Sequence, residues 1–231
     1  MSTAEDFFAR DERADSRKQL PEEVADYLRE QIMSGAFKPG EFLRMDRIAA
    51  AVGVSNTPVR EALMSLRGEG LVRLLPRRGF VVAPFTRQDV RDLFATQAHM
   101  AGELAARAAE KITSEQIAEL EAVNEKFERA IATGNTDLIG SLGHTFHRAI
   151  NVAADSNRLA FLLASVVNQL PNRFYATLEA QVEASTSQHP LLIDALSRRQ
   201  SRVARALMED HIVESADYVI EMLEQRGLWD R

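Results

Sequence analysis

Val54-Ser55-Asn56-Thr57-Pro58-Val59-Arg60-Glu61-Ala62-Leu63 is the stretch on which the reading of this chain turns. Proline is tolerated in the first turn of a helix, where no intrahelical partner awaits its missing N–H, so Pro58 marks a helix start. Ser55, just ahead of it, is of the type that caps helices. Val59, Leu63 and Leu66 follow at helical spacing as a buried stripe, and Gly70 ends the helix. Immediately upstream, Ile48, Ala49 and Val52 share one face of a short helix over Asp46–Val52, and Gly53 stops it. Two helices joined by a tight glycine-containing turn make a helix-turn-helix.

The flanks extend the pattern. Leu20-Pro21 opens an earlier helix with Val24, Leu28, Ile32 and Met33 on one stripe. Gly35 closes it, Lys38-Pro39-Gly40 makes a turn, and Phe42-Leu43 is a short strand. Downstream, Leu71–Leu75 and Phe80–Val82 are β-prone runs around Pro76-Arg77-Arg78-Gly79, a hairpin with a basic tip. A helix-turn-helix followed by such a hairpin is a winged helix-turn-helix.

From Thr86 on, the pattern is helical. Thr86 with Asp89, and Thr113 with Gln116, have capping-box spacing. Helices are expected near 87–111, 114–133, 137–153, 157–185, 190–199 and 202–226, with Gly134 and Gly227 as stops and Pro171 kinking or breaking the fourth. The fold class is therefore mostly α: an N-terminal winged helix-turn-helix plus a C-terminal all-helical bundle. The expected organisation is a mobile arm over 1–16, a winged domain over 17–84 and a bundle over 85–231.

A net charge of −6 is unusual for a protein that meets DNA, but its distribution resolves the conflict. Residues 17–85 hold eleven basic and eight acidic side chains, while 86–231 hold fifteen and twenty-one. Phosphate binding needs a local positive face, not a basic whole. The second helix of a helix-turn-helix enters a major groove ~12 Å wide and reads bases with its first residues. Those residues are Ser55, Asn56, Thr57 and Arg60. Arg60 suits guanine, Asn56 suits adenine, and Thr57 suits a phosphate, which the helix N-terminus also favours. Arg77 and Arg78 are placed for the adjacent minor groove, and Gly79 permits close backbone approach.

The absence of cysteine excludes disulfides, thiolate nucleophiles and cysteine-bound zinc. Residues 1–15 lack the apolar stretch of a signal peptide, and no apolar run approaches the ~20 residues that span a bilayer. The expected location is the cytoplasm, away from membranes.

The stretch 54–63, with Leu66, Glu69-Gly70-Leu71-Val72 and Arg78-Gly79-Phe80-Val81-Val82, closely resembles the GntR family of bacterial repressors and activators. Ile32, Gly35, Lys38-Pro39-Gly40 and Leu43 extend the resemblance to roughly residues 18–83. It implies DNA contacts at Ser55, Asn56, Thr57, Arg60, Arg78 and Gly79. The family usually has arginine at Asn56 and a basic or long polar residue at Asp46, which predicts altered base preference and lower nonspecific affinity; Arg44 or Arg47 are placed to compensate. Glu61 is expected to be structural, pairing near Arg60 or a neighbouring helix.

The order of the two domains resembles the FadR-like branch, whose sensor is the FCD domain. The similarity continues through Asp89, Leu93-Phe94, the alanine-rich 104–109, Phe146-His147-Arg148-Ala149-Ile150, His189, Ile193, Ala195-Leu196, Ala204 and His211. By their spacing alone, the five histidines, His99, His144, His147, His189 and His211, are scattered surface or core residues. The resemblance assigns His147, His189 and His211 to the family's metal ligands, implying a divalent ion such as zinc or nickel. The family's aspartate one turn before the first histidine is Gly143 here. That predicts a weaker site, with His144 as a substitute ligand, or a pocket that dispenses with metal.

The family often has arginine near Gln97 and glutamate near Ala101. Gln97 and His99 occupy this region instead, with Arg173 as a cation from another side, as the expected effector pocket for a small polar metabolite. The resulting expectation is a ligand-responsive repressor, bound as a homodimer to a palindromic operator in double-stranded DNA, and not an enzyme. The alternatives are a metal-dependent hydrolase built on the three histidines, and an architectural DNA binder without an effector.

Overall fold

A computed structural model describes residues 20–170 and 183–229. The expected arm, Pro171 and Arg173 lie outside the described residues. The chain forms two compact units, residues up to Phe85 together with those from Leu223 on, and Thr86–Met222. The segment from Leu223, assigned by its sequence position to the bundle, clusters instead with the first unit.

In the first unit, α1 (20–33) buries Val24, Leu28, Ile32 and Met33, as its stripe predicts. Strand β1 (Phe42–Leu43) leads into α2 (Met45–Val52). Gly53 closes α2 in the left-handed conformation, at φ 75°, with its N–H on the Ala49 carbonyl. Only glycine adopts that geometry without steric cost, and it turns the chain directly into α3 (Asn56–Gly68). Val59, Ala62, Leu63 and Leu66 of α3 are completely buried. β2 (Val72–Leu75) and β3 (Gly79–Val82) form the hairpin, and β3 lies centrally in an antiparallel sheet of order β1-β3-β2. The register pairs Leu75 with Gly79 and Leu43 with Phe80. From the far end of the chain, Leu223 and Leu228 are buried, and the Trp229 indole donates to the Phe85 carbonyl at 2.7 Å.

The second unit is helical. It comprises α4 (Arg87–Lys111), α5 (Ser114–Thr133), α6 (Thr136–Ala153), α7 (Asn157–Val167), α8 (Glu183–Ser197) and most of α9 (Ser201–Gln225). Both capping boxes form, Thr86 with Asp89 and Thr113 with Gln116, and Gly134 closes α5 at φ 67°. Leu104, Ala105 and Ala108 of α4 pack with Leu120, Phe146, Ile150, Leu163, Leu192, Leu196, Ala204 and Met208 in one core. The small residues of α4 let its neighbours approach closely. Among the described residues, no helix is long and apolar enough to cross a membrane.

Two helices differ from expectation. The helix expected over 157–185 ends at Val167. The chain then tightens into turns, with Gln169 N–H on the Val166 carbonyl and Leu170 N–H on that of Val167. A residue before proline disfavours the helical region, so the helix stops ahead of Pro171. Conversely, α8 does not start at Pro190 but runs through it from Glu183. An internal proline costs about 3 kcal/mol; burial of His189, Leu192, Ile193 and Leu196 on one face offsets it. At the end of α8, Arg199 takes φ 55°, where glycine is usual. Its guanidinium donates to the carbonyls of Glu110 (2.7 Å) and Ile112 (3.2 Å), capping the end of α4.

Candidate DNA-reading face and histidine centre

The opening of α3 is held outward by its own buried stripe. Ser55, Asn56, Thr57 and Arg60 are all exposed, whereas Val59, one residue before Arg60, is fully buried. Ser55 occupies the capping position with extended backbone, but its hydroxyl makes no capping bond. The orphan N–H groups of this helix start face outward with the same positive end that binds phosphates elsewhere.

At the hairpin tip, the Arg78 N–H donates to the Leu75 carbonyl at 3.0 Å, closing a turn with Pro76 and Arg77 at its centre. Arg77 stands at φ 61°, left-handed for a non-glycine residue. Its side chain is exposed, as are those of Arg78 and the backbone of Gly79. The Arg78 guanidinium lies 5.2 Å from the centre of the Phe42 ring, within cation–π range, which restrains it on the wing. Gly79 has φ 96° and no atom within 4 Å of where a Cβ would sit, so backbone conformation rather than crowding demands glycine.

Behind this face lies an ion pair that the sequence pattern does not reveal. Arg29 of α1 is 5% exposed and donates twice to Glu69, from Nε at 2.8 Å and from Nη2 at 2.6 Å, and also to Asp26. Burial would lower the Arg29 pKa, but the hydrogen bond and charge of Glu69, then Asp26, outweigh it and raise it above its ordinary value. The pair ties α1 to the end of α3. Glu61, expected to pair structurally, is exposed on α3; Glu69 is the carboxylate that braces the domain.

In the second unit, His147 of α6, His189 of α8 and His211 of α9 meet, with one nitrogen of each within 4.8 Å of the others. His189 and His211 are buried, and His147 is half-buried. Phe146 stacks on His189 at 4.0 Å between ring centres, and Phe127 of α5 lies 5.0 Å away. These rings lock the His189 plane. His211 Nε2 faces His147 Nε2 at 3.2 Å. Two nitrogens each ~2.1 Å from one ion at an angle of ~90–110° are ~3.0–3.4 Å apart, so this separation suits a shared ion. His211 Nδ1 faces Gln188 Oε1 at 2.9 Å, and Gln188 Nε2 donates to Glu214 at 3.1 Å. Three imidazoles with an outer hydrogen-bond partner are a donor set for zinc, nickel or a similar divalent ion, with positions left for water or a ligand.

The remaining expected residues divide. His144 is exposed and does not join the other three; on its helix, the inward position one turn before His147 is the buried Gly143. Gln97 is buried at 2% exposure, but His99, two residues on, faces solvent. Arg173 lies outside the described residues. Asn124 of α5 was not anticipated: it is buried, and its amide donates to Glu128 at 2.9 Å. Gln188 and Glu214 were also missed. Adjacency to His189 and a three-residue offset from His211 were the available signals.

Comparisons with known proteins match both parts of the chain. Residues 20–82 match the model of the gntR family of bacterial regulatory proteins, and residues 92–214 match the FCD domain. The HTH-type transcriptional repressor RspR of Escherichia coli is 25% identical over 87% of this chain and 90% of its own length. The Glc operon transcriptional activator of Escherichia coli is 28% identical over 86% and 88%. The solved structure of E. coli McbR/YncC superposes with a TM-score of 0.63 at 25% identity, covering 90% of this chain and 98% of that one. These relatives are regulators rather than enzymes, so the histidine centre is not read as a hydrolytic one. The chain belongs to the gntR family of bacterial transcription regulators, with a DNA-binding helix-turn-helix followed by an effector-binding FCD domain.

Proposed function

We propose that this regulator is a repressor that sits on a palindromic operator as a homodimer in the cytoplasm. A small polar metabolite releases it, taken up in the FCD domain beside a divalent ion, zinc or nickel, held by His147, His189 and His211. The observation that carries this reading is the convergence of three imidazoles from three helices in a chain whose other unit exposes a reading helix.

On DNA, Arg60 pairs with guanine and Asn56 with adenine, while Ser55, Thr57 and the α3 N-terminus hold phosphate. Arg77 and Arg78 enter the minor groove, with Gly79 letting the wing backbone approach. Two-fold symmetry of the dimer is mirrored in the operator. In the sensor, the ion when bound supplies a Lewis-acidic anchor for an oxygen or nitrogen of the metabolite. Gln97 adds a buried polar contact; His99, facing solvent, is left out. The metabolite must bind the DNA-free arrangement more tightly than the bound one, or it shifts nothing.

The relation to RspR, 25% identical, supports repression, and the Glc operon activator, 28% identical, supports activation instead, so a direct test decides. Genomic fragments enriched on the purified protein would be footprinted, and reporter output compared with and without the regulator. A protected inverted repeat, a sedimenting dimer and reporter output that rises on deletion are expected. A single unrepeated half-site bound by a monomer, or output that falls on deletion, would overturn the corresponding part.

A further inference from the structure

The histidine centre has an outer layer whose atoms can be assigned. A carboxylate only accepts hydrogen bonds, so the Gln188 group 3.1 Å from Glu214 is the NH2. The Gln188 oxygen therefore faces His211 Nδ1, at 2.9 Å, and that nitrogen carries the hydrogen. In a neutral imidazole the lone pair is then on Nε2, the nitrogen that faces His147 at 3.2 Å. Gln188 lies on α8 beside His189, and Glu214 lies one turn beyond His211 on α9, so the relay also ties together the two helices that carry these ligands.

We propose that Gln188 and Glu214 are positioning residues for the metal centre. Glu214 orients the Gln188 amide, and Gln188 holds the His211 Nδ1 hydrogen, so that Nε2 is the nitrogen presented to the ion. The proposal rests on the metal reading above and deepens it. It also accounts for how a centre with Gly143 in place of a ligating carboxylate is supported by negative charge. The charge stands one residue removed, at Glu214, and reaches the ligand through a polarised amide. A hydrogen-bonded partner on the far nitrogen raises imidazole basicity and fixes ring orientation.

The test uses the full-length protein, with zinc competed against a chromogenic chelator, and nitrogen NMR of the imidazoles in metal-free protein. Wild type is expected to show His211 with its hydrogen on Nδ1. Gln188→Leu should mix the tautomers and weaken zinc binding by about 10–100-fold. Glu214→Gln keeps an acceptor but removes the charge, so its tautomer should persist while zinc affinity falls less. The double variant Q188E/E214Q restores a carbonyl-type acceptor for His211 beside an amide donor, and should recover zinc binding; a fold merely damaged at position 188 would not. Wild-type zinc affinity in Gln188→Leu, failure of the double variant to recover, or a wild-type hydrogen on Nε2 would overturn the relay. If wild type takes no zinc, the metal reading falls, while an Nδ1 hydrogen lost in Gln188→Leu still establishes the relay and an unchanged one removes it.

Discussion

The two units hold their polar working groups in opposite ways. In the first, Ser55, Asn56, Thr57, Arg60, Arg77 and Arg78 stand in water, and what positions them is backbone: left-handed Gly53, the start of α3 and the left-handed Arg77 at the wing tip. In the second, His189 and His211 are enclosed, and what positions them is packing and hydrogen bonding: Phe146 and Phe127 against one ring, Gln188 against the other. A surface that reads an extended polymer needs projecting groups with little desolvation to overcome. A centre that recognises something small needs enclosed groups, each with a partner. The difference predicts that damage to the first unit's face changes affinity without stability, whereas damage to the second unit's centre changes both.

The largest effect should come from a place where the first unit departs from that pattern, its buried ion pair. Glu69→Leu leaves Arg29 enclosed without its bidentate partner and should cost about 3–5 kcal/mol in denaturant unfolding. Replacing both, R29M/E69L, should recover most of that loss; a double variant as unstable as the single one would show that the pair is indispensable for another reason. Arg60→Ala should weaken operator binding by about 1–3 kcal/mol in a mobility-shift titration at fixed salt, with an unchanged melting temperature. A melting temperature that falls with it would break the separation of affinity from stability. Gly143→Asp puts a carboxylate on the inward face one turn before His147. Zinc affinity should rise by at least the roughly tenfold that outer partners are worth, without change in operator binding by metal-free protein. Unaltered zinc affinity would mean the carboxylate does not reach the centre. Smallest, Arg77→Gly relieves a left-handed non-glycine residue worth ~1 kcal/mol. The melting temperature should hold or rise slightly while operator affinity drops, the sharpest single demonstration that the wing stores strain for contact.

The first unit was readable because its signals are local. Gly53, Pro58 and the Val59–Leu63–Leu66 stripe lie within fourteen residues and act through backbone geometry, which the chain carries wherever it goes. Arg29 and Glu69 were invisible for the opposite reason: forty residues separate them, and only the packing of α1 on α3 makes them partners. The histidine centre draws on residues 147, 189 and 211, and resemblance, not spacing, selected them from five. Three residues is nearly one turn, which suggests His144 as a substitute ligand, yet the helix is rotated so that Gly143 and His147 face inward and His144 does not. Pro190 misled in a similar way. A helix was expected only from about 190, and the buried face of α8 carries it through Pro190 from Glu183.

The placement of Leu223, Leu228 and Trp229 in the first unit gives the protein an order of manufacture. A ribosome releases residues 20–85 early, yet the side chains that complete their packing are made after every residue of α4 through α8. A chain cut short anywhere before residue 223 therefore lacks part of the DNA-reading unit as well as its own missing segment. An incomplete copy therefore cannot finish the packing of the unit that carries the helix-turn-helix.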